Sequence, residues 1–367
     1  MATSRQAAAR KSVAVKTAPL IKAPFGADNR QRLIAQFLAA SSEAPWLRVY
    51  RLLLWTDKTT GLAHCYESDK CQPGKPWHPR SLRFHEWLSR SLGVAPREAA
   101  GGIDWLFRHT AEDYARYMVQ QYQTLLRRAT RQRAPYIDRA FPEPGEDPAI
   151  VAIVREVLGN RLIEEPSLDE WRSMTQRIRE LIAVENKRKN LVGEGFEDVL
   201  CAVARDFDDG SALSVSARSL LSSVPGFANT RVGDKPIKVD MAIVRNADQH
   251  RTIVTAKWSI RADREQHFSA EFANYVRAKS DIRPFDYVLL TNEFDPARLA
   301  RACEFSAGNA AMFSRVVHIS PDALRAVYSD QPEATMQRIV DFIDQGRIVG
   351  VDTWLAGLLN PRLLPVQ

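Results

Sequence analysis

Two β-branched apolar runs, "KVDMAIVR" (238–245) and "RTIVTAKWS" (251–259), flank the polar turn "NADQH". This pair constrains the fold more than any other feature, because it predicts neighbouring antiparallel strands inside a sheet. A helical pattern covers roughly 264–280, and "FDYVLLT" (285–291) then reads as a strand followed by a short helix. "SRVVHIS" (314–320) predicts another strand, and "TMQRIVDFIDQG" (335–346) a helix closed by Gly346. Strands alternating with helices past residue 280 predict a mixed α/β sheet flanked by helices.

The preceding residues have a different texture. Residues 30–40 predict a helix, "WLRVYRLLLWT" (46–56) a buried strand, and "DKTTG" a turn into "LAHCYES". Helical patterns follow at 80–92 and 112–130. The aromatics Trp46, Tyr50, Trp55, Trp77, Phe84 and Trp87 read as the core of this region. "APYIDRAFPEPGEDP" (134–148) carries four prolines and no period, so it reads as a linker with a boundary near 145. Helices are expected at 148–158, 168–188 and 192–206, with Ser167 capping the second ahead of Glu170. The expected organisation is a basic flexible tail (1–22), a mainly helical N-terminal accessory domain (23–145) and an α/β domain (146–367).

At 367 residues and 45% hydrophobic, the chain can bury the cores of two domains. No apolar run approaches the roughly 18–20 residues of a membrane span. The basic N-terminus lacks the continuous apolar core of a secretory signal. Cys65, Cys71, Cys201 and Cys303 show no paired framework, which fits a reducing cytoplasm. His64, Cys65, Cys71 and His78 match no tight zinc spacing and read as an ordinary hairpin and loop. The net charge of +7 favours a polyanionic partner, nucleic acid or an anionic surface. Within "ENKRKN" (185–190), Lys187, Arg188 and Lys189 are candidates for phosphate contact.

Side chains alternate faces along a strand, so Asp240 shares a face with Ala242 and Val244, and Lys257 with Thr255 and Ile253. A hairpin can set Asp240 and Lys257 on one face of neighbouring strands, where buried charges need a partner or a metal. On the next helix Phe268, Glu271, Phe272 and Tyr275 form one stripe facing the sheet. On the helix at 192–206 the stripe is Phe196, Val199, Leu200 and Val203, with Glu197 at its edge and Glu194 turned to solvent. Three carboxylates and a lysine meeting at a sheet suit metal-assisted phosphodiester cleavage. Mg²⁺ takes carboxylate oxygens and keeps waters. One water becomes the nucleophile, and a lysine can orient or deprotonate it.

Asp240 followed by "TAK" ending in Lys257 resembles the PD-(D/E)xK nuclease superfamily, with Thr255 standing where its second acid belongs. The spacing K-x3-R-x-D-R-x6-E over 257–271, together with "GEGFE" upstream, resembles the type II restriction endonucleases that recognise CCGG cores. The resemblance covers about residues 190–290. It implies that the displaced acid is Glu271, that Asp240 and Glu271 hold Mg²⁺, that Lys257 positions the attacking water, and that Glu197 supports the site. It also implies that Arg261 and Arg264 read guanines and Asp263 reads cytosines. That chemistry is sensible by itself, since Arg donates to guanine O6 and N7 and Asp accepts from cytosine N4.

The resemblance further implies cleavage of double-stranded DNA at a palindrome containing CCGG, leaving 5′ overhangs. A homodimer or homotetramer and a cognate DNA methyltransferase as functional partner follow from it. Two rivals stand beside this reading. One is a PD-(D/E)xK nuclease of repair or recombination without CCGG specificity. The other is a DNA-binding protein without catalysis.

Overall fold

A computed structural model describes residues 20–66, 68–139, 147–161, 164–208, 210–229, 231–232, 235–261 and 265–364. The tail expected at 1–22 and the boundary expected near 145 fall almost wholly outside them. Four helices build the N-terminal half: α1 (Ala27–Ala39), α2 (Pro45–Leu53), α3 (His78–Leu92) and α4 (Trp105–Arg133).

Helix α2 corrects the strand expected over 46–56. Pro45 sits in its first turn, where a missing N–H is tolerated. Val49, Tyr50, Leu52 and Leu53 are all buried, because α4 and the helices Leu168–Phe207 and Val351–Leu359 pack on α2. Arg48 and Arg51 lie one helical turn apart, opposite the buried side chains, a helical spacing that the strand reading passed over in favour of the apolar composition. "LAHCYES" supplies only a single bridge, between Thr56 and Ala63.

After α5 (Pro148–Leu158) comes α6 (Leu168–Phe207), one helix of 40 residues where two were expected. Its start is the anticipated capping box: Ser167 N donates to Glu170 Oε2 at 2.7 Å, and Glu170 N donates to Ser167 Oγ at 3.3 Å. The apolar period lapses across "ENKRKN" and two glycines, yet the helix runs on because α1 and α2 pack on it there. Gly195 faces the Leu53 and Leu106 side chains on the packed side of the helix.

The remaining elements are β1 (Leu213–Ala217), the two-residue β2 (Arg231–Val232) and β3 (Lys235–Pro236), β4 (Met241–Arg245) and β5 (His250–Lys257). Then come α7 (Glu265–Ala278), β6 (Phe285–Thr291), α8 (Pro296–Glu304), the short β7 (Ser306–Ala307) and β8 (Ala310–Ala311), and β9 (Arg315–His318). The chain closes with α9 (Pro321–Tyr328), α10 (Ala334–Asp344), β10 (Ile348–Gly350) and α11 (Val351–Leu359). Six strands form one mixed sheet in the order β1-β4-β5-β6-β9-β10. β1 pairs with β4 and β4 with β5 antiparallel, and β5, β6, β9 and β10 run parallel to one another. This is the α/β architecture the alternation predicts. One buried cluster extends from Leu33 and Tyr50 through Phe196, Ile253 and Leu289 to Trp354, so the N-terminal helices share the core of the sheet.

Candidate active site

The β4–β5 register sets Met241 opposite Val254 and Ala242 opposite Ile253, which brings Asp240 level with Thr255 at the open end of the hairpin. Opposed residues share a face, so Asp240 and Lys257 meet as parity requires. Asp240 Oδ2 accepts from the Lys257 ammonium, from Ala256 N at 3.0 Å and from Thr255 Oγ1 at 3.3 Å. Thr255 therefore orients the aspartate by a hydroxyl donor. Both charged side chains keep some solvent contact.

Two glutamates lean on this pair. Glu271, half-buried on α7, accepts from the Tyr287 hydroxyl at 3.2 Å. Burial holds its carboxyl above the usual carboxylate range; Lys257 opposes that rise and Asp240 adds to it. Glu197 on α6 is pushed up to about 7 by burial first and by the charge of Asp240 second, against the pull of Arg218 and Lys257. The neighbouring apolar stripe is buried as expected, while the Glu194 side chain is 66% exposed and pairs with Arg30 at 2.9 Å.

Arg218 ties the strands to α6. Its N–H donates to the Asp240 carbonyl at 2.9 Å, and its guanidinium pairs with Glu197 at 3.2 Å and with Asp198. Its φ of +46° is a left-handed conformation that costs a non-glycine residue strain. On the far side Arg30 of α1 holds Asp198 at 2.9 Å, both side chains being almost fully buried. The N-terminal half thus braces the helix turn that carries Glu197.

The donor set suits a hard dication. Glu197 and Glu271 stand near Asp240, burial raises both with the charge of Asp240 adding to it, and Asp240 Oδ1 accepts no hydrogen bond among the described residues. The set is not drawn into one coordination sphere: among the described residues no three His, Cys, Asp or Glu groups stand close enough to hold a metal. Lys257 provides the positive charge at Asp240 in this arrangement.

Of the three base-reading candidates, Arg261 is exposed, and Asp263 and Arg264 lie outside the described residues. The segment's start is held by a residue that the sequence reading passed over. Glu293, just past β6, accepts from Ile260 N at 2.6 Å, Phe294 N at 2.9 Å and Asp295 N at 2.7 Å. Among the phosphate candidates, Lys187 sits over the Tyr114 ring at 4.5 Å, and Arg188 pairs with Asp104 at 2.9 Å and covers Phe107 at 4.0 Å. Lys189 is exposed. His64, Cys65, Cys71 and His78 form no metal-holding group, and all four cysteines are free and buried.

Tyr287 and Arg218 were also missed. Tyr287 pairs with Ile253 across β5 and β6, so parity alone puts it on the Lys257 face. Arg218 follows a strand that the sequence did not announce, and no local signal marks it. No protein-family model matches this chain, and no curated protein sequence matches it either.

Proposed function

We propose that this chain is a Mg²⁺-dependent type II restriction endonuclease of the PD-(D/E)xK superfamily. It would cut double-stranded DNA at a palindrome containing CCGG and leave 5′ overhangs. The observation that carries the reading is the electrostatic cluster of Asp240, Lys257, Glu271 and Glu197, drawn from one hairpin and two helices. Bound Mg²⁺ supplies an acidified water and charge neutralisation at the scissile phosphate. Asp240 and Glu271 offer the oxygens to hold it. Lys257, anchored on Asp240, is placed to orient the attacking water. Glu197 buffers the cluster, with Arg218 holding its carboxylate in place.

Arg261, Asp263 and Arg264 would enter the major groove and select adjacent G·C pairs. Glu293 anchors the backbone where that segment leaves the sheet. A palindrome calls for a two-fold assembly, hence a homodimer or homotetramer. The exposed apolar side chains Val119, Tyr122 and Leu126 on α4 and Ile153 and Val157 on α5 are surface available to another copy. A cytoplasmic setting beside a methyltransferase of the same specificity belongs to this reading. Among the described residues no helix is long and apolar enough to cross a membrane.

The test is incubation of the full chain with supercoiled plasmid and Mg²⁺. Discrete fragments that vanish with a chelator are expected. Smears or nicks without a preferred site would favour a repair-type nuclease. Tight DNA binding with no cleavage across several divalent metals would favour a DNA-binding protein without catalysis.

A further inference from the structure

Between Lys257 and the base-reading candidates the chain leaves the sheet, and a side chain holds the exit. Lys257 closes the β5–β6 pairing opposite Thr291. The ladder continues one bond further, as Asn292 N donates to the Trp258 carbonyl at 3.0 Å. At Ile260 a carboxylate takes over: Glu293 Oε2 accepts from Ile260 N at 2.6 Å. Oε1 closes Glu293's own turn, accepting from Phe294 N at 2.9 Å and from Asp295 N at 2.7 Å.

The anchor is itself fixed from several sides. Glu293 is buried, its N–H donates to Thr291 Oγ1 at 3.1 Å, and its carbonyl lies 3.1 Å from Nε2 of the buried His318. Phe294 beside it is fully buried, with its ring centre 5.0 Å from that of Phe84, and its carbonyl accepts from the Tyr328 hydroxyl. Arg298 stands 3.7 Å from Oε2. Elements β6, β9, α3 and α9 thus all hold the turn whose carboxylate holds Ile260. Ile260 comes three residues after Lys257 and directly before Arg261.

We propose, resting on the nuclease reading above, that Glu293 is a positioning residue for specificity. By holding Ile260 it fixes the offset between the Lys257 ammonium and the reading segment Arg261, Asp263 and Arg264. Groups that discriminate between bases must be held to within roughly 0.5 Å, and a tether to the core supplies that at the start of a loop. A carboxylate suits the position because each of its oxygens serves donors on a different side. An amide has a single oxygen. If that oxygen stays with Phe294 N and Asp295 N, the NH2 group meets the Ile260 N–H donor to donor. The Glu293 carboxylate bonds none of Asp240, Lys257 and Glu271, so the cleavage residues keep their own contacts when it is changed.

Glu293→Gln and Glu293→Asp test the role in the full chain, with circular dichroism to confirm each fold. The aspartate keeps the charge and can close an Asx turn onto Asp295 N, yet it is one methylene short of Ile260. Amide hydrogen exchange at Ile260, followed without DNA or metal, should speed up by about tenfold or more in both variants. Single-turnover cleavage in Mg²⁺ is then compared on two duplexes. One is the sequence that the wild-type chain cuts, and the other has a single base pair of its CCGG core replaced. The ratio of the two rates should fall by about tenfold or more, the worth of one good base contact. A merely destabilised chain loses rate on both duplexes alike and keeps the ratio. Unchanged exchange at Ile260, or an unchanged ratio beside specific wild-type cutting, overturns this role alone. A wild-type chain that shows no sequence preference overturns the nuclease reading and this role with it.

Discussion

Asp240 and Lys257 are partly open to water, so their ion pair contributes little to folding. Lys257→Ala and Asp240→Ala should each slow cleavage by roughly a thousandfold or more, about 4 kcal/mol of transition-state stabilisation. DNA binding should persist, because the groove contacts are separate side chains. Single-turnover cleavage beside a gel-shift assay measures both quantities, and a near wild-type rate in either variant would misplace the site. Glu271→Ala should cripple cleavage far more than Glu265→Ala, at the first residue of the same helix. Thr255 has no acid to substitute, and Tyr287 and Lys257 both address Glu271. Equal tolerance of the two changes would defeat the displaced-acid assignment. The hairpin pair and Glu271 were legible from strand parity and helix stripe, which are local rules. Arg218 was not, because its partners Glu197 and Asp198 reach it only through the fold.

Elements were legible where one period held for their whole length. The limits of β6 match "FDYVLLT", and α10 ends just before Gly346, whose φ is +68°. The continuity of α6 was hidden because neighbours override the local pattern there, whereas α2 was misread from its apolar composition despite the helical spacing of Arg48 and Arg51. Strand β10 is three residues long, too short to show an alternation. At the end of β9, His318 is sealed between the carbonyls of Ser320 and Glu293. Burial lowers its pKa from 6.5 to about 4. Between those values the unfolded chain takes up a proton that the folded chain refuses. The stability from this group is therefore complete above pH 6.5 and is lost as pH falls towards 4, by up to about 1.4 kcal/mol per pH unit. Glu293 nearby, raised by burial, works in the opposite direction. NMR of the ring isolates His318: it should stay neutral at pH 5.5, and a titration near 6.5 would contradict its burial.

The N-terminal helices and the sheet behave as one body in this account, joined through a shared core and through Arg30. Arg30 reaches from α1 to Asp198, one residue past Glu197, in a setting with almost no water. Arg30→Ala should cost about 3 kcal/mol of stability, since it strips a buried carboxylate of one partner. It should also lower cleavage by loosening the turn that carries Glu197. Urea denaturation checks the first effect, and a loss below about 1 kcal/mol would show the brace to be ornamental. The central claim concerns the whole assembly, because a palindrome is read only by two copies acting together. The most direct measurement is to sequence the ends of DNA cut by the full chain in Mg²⁺. Ends at sites sharing a CCGG core, cut before its first cytosine to leave 5′ overhangs, are expected. Metal-dependent ends at sites lacking CCGG would contradict the specificity assigned to Arg261, Asp263 and Arg264.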